Sequence, residues 1–281
     1  MMIKPVQPFP ALLIKRGKRK TLVIADLHIG WEVPLSEEGI HVPSQTSKLQ
    51  QKLEEVIAKA KPHDLLVLGD VKHTIAKAEI EEWRDVPEFF ESLKGKFQNF
   101  YVIPGNHDGN LEPLLPEYVE ILPSTGVRIG DVGLFHGHTW PSPELLSCKT
   151  LVMGHLHPVV VFRDPLGFKI TSQVWVKAKV DQNRFVSSLL KRMNIKTKAK
   201  RPIKVFETEF GVKVKTSELI IIPAFNDFLG GQPVNTARVA RENKYKEFIG
   251  PVLRSGCINM DFSELYLLDG TFIGKLGQVK F

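Results

Sequence analysis

Residues 21–28 read TLVIADLH, an apolar run followed by an aspartate and a histidine at alternate positions. A short apolar run of this kind is typical of a buried strand. On an extended backbone, side chains two residues apart point to the same face, so Asp26 and His28 can contribute to one site. The stretch therefore predicts a strand of an α/β sheet that presents two polar side chains at its carboxyl end.

Four further polar clusters follow predicted strands in the same way. The predicted strands lie at residues 11–14, 21–25, 65–68, 100–103, 132–135 and 151–153. The clusters that follow the last five strands are Asp26 with His28, Gly69-Asp70, Asn106-His107-Asp108, His136 with His138, and His155 with His157. Because open α/β sheets bind ligands at the carboxyl ends of their strands, we expect these clusters to converge on one site.

Helical periodicity predicts two helices in the first half of the chain. The first has Ser44 as its expected N-cap, ends near Pro62, and has an apolar face of Leu49, Leu53, Val56, Ile57 and Ala60. A second helical region, at 78–93, is expected to be interrupted at Pro87 and closed by Gly95.

The second half favours hairpins. Two are predicted, at residues 159–163 with 168–177 and at residues 265–268 with 271–275; Asp269-Gly270 is a strong turn signal for the latter. A further helix is expected near 236–248. Since no repeat and no Gly/Ser-rich linker appears, we expect one domain over 1–281 with a basic insertion at 177–204.

Composition excludes several classes of protein. The chain has 281 residues, 43% hydrophobic and 25% charged, as expected for a folded soluble protein rather than a disordered polymer or a disulfide-stapled miniprotein. The longest apolar run, 219–225, is far shorter than the roughly 20 residues of a membrane span. The N-terminus lacks the order of a secretory signal, so a cytoplasmic location is expected. Cys148 and Cys257 are expected to be buried small hydrophobes rather than zinc ligands.

The net charge of +7 is unevenly distributed. Residues 177–204 hold ten Lys and Arg residues against the single Asp181. Such a concentrated cationic stretch favours a polyanionic partner such as nucleic acid, because phosphate neutralisation releases counterions. A solvated, partly flexible insertion is the alternative. Within the stretch, the candidate phosphate contacts are Lys191, Arg192, Lys196 and Lys198.

The residue types in the five clusters indicate metal chemistry. All nine histidines lie between His28 and His157. Imidazoles mixed with aspartates and one carboxamide suit manganese, iron or zinc, whereas calcium prefers an all-oxygen cage. Seven potential ligands exceed the needs of one ion. Two ions about 3.5 to 4 Å apart, sharing a carboxylate and a hydroxide, would use them all.

The ordered set of motifs resembles the signature of the calcineurin-like metallophosphoesterases. The motifs are Asp26-Leu27-His28, Gly69-Asp70, Gly105-Asn106-His107-Asp108, His136-Gly137-His138 and Gly154-His155-Leu156-His157. The resemblance implies a four-layer α/β/β/α sandwich with a dinuclear metal site at the strand carboxyl ends. It also implies a hydrolase that uses in-line attack of a metal-bridging hydroxide on a phosphate ester.

The same resemblance implies a role for each matching residue. Asp26, His28 and His157 would bind the first metal, Asp70 would bridge, and Asn106, His136 and His155 would bind the second. His107 matches the catalytic histidine, which protonates the leaving oxygen or neutralises charge on the phosphoryl group. Asp108 and His138 are expected to support the ligands without binding metal. Manganese is the first expectation for both ions, with iron, zinc, nickel and magnesium as alternatives.

The second motif narrows the branch of the family. Protein phosphatases of this superfamily continue it as Gly-Asp-x-x-Asp-Arg-Gly, whereas this chain reads Gly69-Asp70-Val71-Lys72-His73-Thr74. A histidine three residues after the aspartate resembles the SbcD-type repair nucleases, so His73 is expected to contact substrate or to assist His107; a solvent-exposed loop histidine is the alternative. Residues 39–43, 222–226 and 230–231 also resemble the bacterial ligase-associated DNA-repair endonucleases.

Three functions remain open on the sequence. The first is a metal-dependent phosphodiesterase that acts on DNA or RNA, which His73 and the basic stretch favour. The second is a phosphodiesterase or phosphomonoesterase of nucleotides or other small soluble esters. The third is a nucleic-acid-binding scaffold with a decayed metal site, which the complete ligand set argues against. The sequence predicts no membrane partner and gives no indication of the oligomeric state.

Overall fold

The computed structural model describes residues 1–75, 78–164, 166–195, 201–236 and 250–280, without the side chain of Glu37. The chain forms two compact units, Met1–Ser124 with Ala224–Leu229 and Thr125–Pro223 with Gly230–Phe281. The single domain predicted from the sequence, with its insertion at 177–204, stays a prediction. Beyond Thr236, the helix predicted at 236–248 lies outside the described residues.

The first unit is built on a six-stranded sheet in the order β1 to β6. Its strands are β1 (Met2–Pro5), β2 (Leu12–Arg16), β3 (Arg19–Ile24), β4 (Asp64–Leu68), β5 (Asn99–Ile103) and β6 (Val119–Ile121). The first three strands pair antiparallel, and β3, β4, β5 and β6 pair parallel. The parallel pairing sets the carboxyl ends of β3, β4 and β5 at one edge of the sheet.

Helices cover this sheet because their apolar faces match its buried strands. The covering helices are α2 (Thr46–Ala60) and α3 (Ile80–Ser92), and the short helix α1 (Val33–Glu37) precedes them in the chain. All five residues of β4 are buried, as parallel strands are when helices cover the sheet. Leu49, Leu53 and Val56 of α2 join Phe89 and Phe90 of α3 in one apolar core with the strands.

The predicted start of α2 is wrong by one residue. Gln45 is the N-cap, without a side-chain capping bond. The Ser44 hydroxyl donates to Asp85 Oδ2 of α3 at 2.5 Å and accepts from the Thr46 backbone N–H at 3.3 Å, so it still bonds the first turn of α2 from one residue further out. The predicted end near Pro62 holds, because α2 ends at Ala60.

The predicted interruption of α3 at Pro87 does not occur. The helix runs continuously from Ile80 to Ser92 with Pro87 inside it. An interior proline removes one backbone hydrogen bond and costs about 3 kcal/mol or more. The adjacent Val86, Phe89 and Phe90 are fully buried, and this burial offsets the cost.

The second unit is built on a nine-stranded sheet. Its strands are β7 (Val127–Ile129), β8 (Val132–Leu134), β9 (Thr150–Met153), β10 (Pro158–Arg163), β11 (Lys169–Lys179), β12 (Glu218–Ile221), β13 (Gln232–Pro233), β14 (Glu264–Leu267) and β15 (Phe272–Lys275). The main order is β13-β10-β11-β12-β9-β8-β7, and β14 pairs with β11 and β15. Both predicted hairpins are present, as β10 with β11 and β14 with β15.

The described part of the second unit contains three helices: α4 (Gln182–Arg192), α5 (Pro202–Phe210) and α6 (Pro251–Arg254). Helix α4 lies within the predicted basic insertion, and Asp181 caps it by accepting a hydrogen bond from the Arg184 N–H. Its Phe185, Val186, Leu189 and Leu190 are buried in the core of this unit. This part of the basic stretch is therefore an ordered element of the fold.

The two sheets with their helices confirm the predicted mixed α/β fold class. Cys148 and Cys257 are free and buried, as predicted, and burial raises the pKa of Cys257 to about 11. In the described ranges, no helix has the length and apolar character needed to span a bilayer.

The Asp64 carboxylate gives the first unit a pH-dependent contribution to stability. Burial alone would raise the pKa of Asp64, but hydrogen bonds from Arg19, Asn99 and Thr21 outweigh it and hold the pKa below 3.8. We expect Asp64→Asn to lower the free energy of unfolding by about 1–3 kcal/mol at pH 7, because charged hydrogen bonds are lost.

A carboxylate whose pKa is lower in the folded protein than in the unfolded chain stabilises the fold at pH values above its unfolded-state pKa. This contribution is lost as the pH falls through the folded-state pKa. Urea unfolding of wild type and Asp64→Asn between pH 7 and pH 3 should therefore show a gap in stability that narrows below about pH 4. A gap of constant size over this range would contradict the assignment.

Candidate metal centre

In the first unit, the loops after β3 and β4 are joined by backbone hydrogen bonds. The Asp26 N–H donates to the Gly69 carbonyl at 3.0 Å, and the His28 N–H donates to the Asp70 carbonyl at 2.9 Å. The ladder continues with the Ile29 N–H, which donates to Val71 O at 2.9 Å. The first two polar clusters are therefore held side by side at the carboxyl edge of the sheet.

The Asp108 carboxylate joins the loop after β5 to the loop after β4. Its Oδ1 accepts from the N–H groups of Val71 at 2.8 Å and Lys72 at 3.3 Å, and its Oδ2 accepts from the Gly105 N–H at 2.7 Å. Asp108 is buried. These contacts are with backbone N–H groups of both loops, and the supporting role expected of Asp108 stays a prediction.

The Asp70 carboxylate lies where these loops meet. Its Oδ1 accepts from the His107 backbone N–H at 2.9 Å, and its Oδ2 lies 3.4 Å from His28 Nε2. The carboxamide Oδ1 of Asn106 is buried, with no hydrogen-bond partner among the described residues. A buried carbonyl oxygen without a partner is costly unless a cation binds it, so the residues present fit a divalent metal.

Three histidines of the first unit lie together. Nitrogen atoms of His28, His73 and His107 lie within 4.8 Å of one another, close enough to hold a metal ion. The His28 and His107 ring centroids are 4.6 Å apart with planes at 80°. Burial lowers the pKa of His73, and the neighbouring His107 lowers it further. His73 is therefore partly buried beside His107, whereas the alternative of an exposed loop histidine does not hold.

The loop that carries His73 is fixed by a residue that sequence reasoning missed. Glu82 of α3 is fully buried, and its Oε1 accepts from the N–H groups of His73 at 2.9 Å and Thr74 at 2.7 Å. The fully buried Lys72 donates its ammonium to the Thr74 carbonyl. The only sequence signal was that Glu82 comes three residues after the helix N-cap Glu79, whose N–H it also accepts.

The second unit places four histidines on two neighbouring loops. Strands β8 and β9 are parallel neighbours, and the Gly154 N–H donates to the His136 carbonyl at 3.0 Å where both strands end. The His136 and His155 ring centroids lie 4.9 Å apart, and the Nδ1 atoms of His136 and His138 lie 3.0 Å apart. Burial, and then the neighbouring His136, lower the pKa of His138 to about 4.

Backbone strain is concentrated at the predicted metal ligands. Eight non-glycine residues among the described ones have positive φ, and five of them are predicted ligands: Asp26, His28, Asp70, His155 and His157, with φ between 44° and 68°. An L-residue in this region costs about 1–2 kcal/mol. Such strain persists where the surrounding structure enforces it, and it clusters at functional sites.

The predicted site residues are thus placed in two groups. The first unit contains Asp26, His28, Asp70, His73, Asn106, His107 and Asp108, and the second contains His136, His138, His155 and His157. The convergence of all five clusters on one centre stays a prediction. Among the candidate nucleic-acid contacts, Lys191 and Arg192 are exposed at the end of α4, whereas Lys196 and Lys198 lie outside the described residues.

Comparison with known proteins assigns the family. The sequence model of the calcineurin-like phosphoesterases matches residues 19–185, which hold all five motifs. The chain belongs to the calcineurin-like phosphoesterase family and is a metal-dependent phosphoesterase, a hydrolase. No curated protein matches this sequence.

Two solved structures are similar to this chain. The nuclease MPE of Pseudomonas putida is 18% identical over 92% of this chain and 97% of its own, with a TM-score of 0.49. YfcE, a phosphoesterase from E. coli, is 20% identical over 51% of this chain and 73% of its own, with a TM-score of 0.33.

Gly105 allows the close approach of the loop after β5 to Asp70. A Cβ at this position would lie 2.1 Å from Asp70 Oδ1 and 2.5 Å from Asp70 N. We expect Gly105→Ala to displace the Asp70 carboxylate and to weaken manganese binding about 10- to 100-fold, as changes beside metal ligands do. Equilibrium dialysis with metal analysis measures this affinity.

Gly95→Ala is the matched control. Gly95 has φ of +80°, and nothing lies within 4 Å of the added Cβ. This variant should lose about 1 kcal/mol of stability through backbone strain and should bind manganese as the wild type does. Equal manganese affinities of the two variants would contradict the placement of Gly105 against Asp70.

Proposed function

We propose that this enzyme hydrolyses phosphodiester bonds in nucleic acid with two bound divalent metals, manganese in the first place. The observation that supports this most is the position of His73. It stands three residues after Asp70, where phosphatases of the superfamily have the second aspartate of Gly-Asp-x-x-Asp-Arg-Gly, and it lies beside His28 and His107 in a loop fixed by Glu82.

The proposed ligands are the ones implied by the motifs. We propose that both ions would share Asp70. Asp26, His28 and His157 would hold the first metal, and Asn106, His136 and His155 would hold the second. Bound there, divalent cations would supply Lewis acidity, which favours hydroxide near neutral pH and stabilises negative charge on the phosphoryl oxygens.

His107 is the proposed general acid. Its Nδ1 contacts the His73 carbonyl oxygen, which can only accept, so Nδ1 carries a proton and Nε2 is left to exchange one with substrate. Protonation of the leaving oxygen by a positioned histidine contributes about 10² to 10⁴ in rate. The backbone of His73 thereby orients His107, and the centroids of the two imidazole rings lie 5.6 Å apart.

A substrate panel tests the proposal. The protein with manganese is incubated with single-stranded DNA, duplex DNA, RNA, bis-p-nitrophenyl phosphate and p-nitrophenyl phosphate. We expect cleavage of a polynucleotide and of the diester reporter, with little release from the monoester. If bis-p-nitrophenyl phosphate is cleaved and none of the polynucleotides is, the result would favour a small-molecule phosphodiesterase. Preference for the monoester p-nitrophenyl phosphate would favour a phosphatase.

Within this panel, His107→Ala should reduce turnover by about 10² to 10⁴ while manganese content stays at the wild-type level. His63→Ala is the matched control, because His63 precedes β4 and so lies at the opposite end of that strand from Asp70. Loss of manganese together with activity in His107→Ala would make His107 structural rather than catalytic.

The basic stretch is proposed to bind the phosphate backbone. In the described part of this stretch, Lys191 and Arg192 form the last turn of α4, and both side chains are exposed while the apolar face of the helix is buried. Their charges therefore face solvent, where they can neutralise phosphates. The alternative role, favourable interaction with the carboxyl end of the helix dipole, needs no partner.

Replacing Lys191 and Arg192 with glutamine distinguishes these roles. If both contact phosphate, the slope of log affinity for DNA against log salt should fall by about 2. The matched control replaces the exposed Lys213 and Lys215 of the same unit with glutamine. An equal salt dependence in both double variants would mean that α4 does not contact nucleic acid.

A further inference from the structure

We propose that Trp31 and Phe228 form a stacking subsite for one nucleobase of the substrate strand. The assignment rests on the proposed function and adds to it a surface that recognises bases rather than phosphates. Both residues belong to the first unit, although they lie far apart in the sequence. Neither belongs to the five metal-ligand motifs.

The two rings already form a short aromatic stack. Their centroids lie 5.5 Å apart, and the ring planes differ by 10°. Phe228 is 41% exposed, while Trp31 is half-buried. A planar nucleobase can extend such a stack by one layer, and stacking of this kind tolerates any base because every base has a π-face.

A lysine beside the stack supplies the charge that a nucleotide needs. The exposed Lys48 of α2 places its ammonium 5.0 Å from the centroid of the Phe228 ring, where it makes a cation–π contact. Its flexible stem allows the ammonium to move to a phosphate when a base takes its place over the ring. The nearby Asp227 carboxylate is paired with Lys52 at 2.6 Å, so its negative charge is offset.

The segment that carries Phe228 is fixed before any ligand binds. The Phe228 N–H donates to Asn226 Oδ1 at 2.9 Å, and the Lys52 ammonium donates to the Phe225 carbonyl at 2.8 Å. The Lys52 ammonium also lies 4.8 Å from the Phe225 ring centroid. Because these contacts already order the backbone, a base that stacks on Phe228 causes little further loss of conformational entropy.

Two further hydrogen bonds connect the stack of Trp31 and Phe228 to the loop after β3, which carries two proposed metal ligands. The Trp31 backbone N–H donates to the His28 carbonyl at 3.1 Å, and Asn226 Nδ2 donates to the Leu27 carbonyl at 2.8 Å. A base held at Trp31 and Phe228 would therefore belong to a nucleotide near the phosphate that is attacked. This favours a polynucleotide or nucleotide diester as substrate over an ester without an aromatic base.

A nucleobase fits this surface better than a protein or lipid partner does. Interfaces with proteins or membranes need contiguous apolar patches of several hundred Å². Here one exposed phenyl ring stands beside the cation of Lys48, which matches one base with its phosphate. The occupant we assign is therefore a single base of a nucleic-acid strand.

Binding of single strands to the full-length protein in EDTA, where cleavage is prevented, tests the subsite. The probes are a 12-nucleotide DNA strand and an abasic strand of the same length, which keeps the phosphates and lacks the bases. We expect the wild type to prefer the base-bearing strand and Phe228→Leu to reduce that preference by about 5- to 100-fold, the loss of one stacked base. Phe228→Tyr, which keeps the ring, should retain the preference within about twofold.

A second measurement reports stacking directly. The fluorescence of a 2-aminopurine base in the strand should be quenched by the wild type and not by Phe228→Leu. Phe168→Leu is the control, since Phe168 is 67% exposed and belongs to the second unit.

If the wild type cleaves DNA but Phe228→Leu keeps the full preference and the quenching, the subsite is wrong and the nuclease proposal stands. If the wild type neither cleaves nor binds either strand, the nuclease proposal is wrong and the subsite with it.

Discussion

The metal-ligand loops of the first unit depend on one buried carboxylate, that of Asp108. It accepts hydrogen bonds from backbone N–H groups on both sides of the site, Val71 and Lys72 after β4 and Gly105 after β5. Hydrogen bonds to a charged acceptor are stronger than those between neutral groups, and low local dielectric strengthens them further. The same two loops are joined by the His107 backbone N–H, which donates to Asp70 Oδ1 at 2.9 Å, and by the contact of His107 Nδ1 with the His73 carbonyl oxygen.

The strained backbone of the ligands follows from the same arrangement. Each ligand-bearing segment turns sharply where its strand ends, and this turn keeps the ligand side chain at the edge of the sheet. Positive φ at Asp26, His28 and Asp70 achieves this turn, and the ladder of hydrogen bonds between the loops after β3 and β4 offsets its cost. The same relation recurs in the second unit at His155 and His157, whose loop is joined to the preceding one at Gly154. Ligands held in this way need little rearrangement before metal binds.

Patterns within a few residues predicted the fold well, whereas contacts between elements corrected it. The six predicted strands and both predicted hairpins are present within one or two residues, because the period of apolar residues reports backbone geometry directly. Pro87 does not interrupt α3, because burial of Phe89 and Phe90 offsets the lost hydrogen bond, so here a tertiary contact outweighs a local preference. The N-cap of α2 lies one residue later than predicted, although the Ser44 hydroxyl still accepts from the Thr46 backbone N–H.

The sequence by itself determined the chemistry of the donors, their order along the chain and their place at the ends of strands. These follow from residue type and from periodicity, and both are local properties. Only the tertiary structure decided that Glu82 fixes the loop of His73, that Lys72 is buried, and that Trp31 stacks against Phe228. These partners come from separate segments of the chain, and their contacts exist only because packing of the sheet and its helices brings those segments together. No pattern within one segment encodes which distant segment will face it.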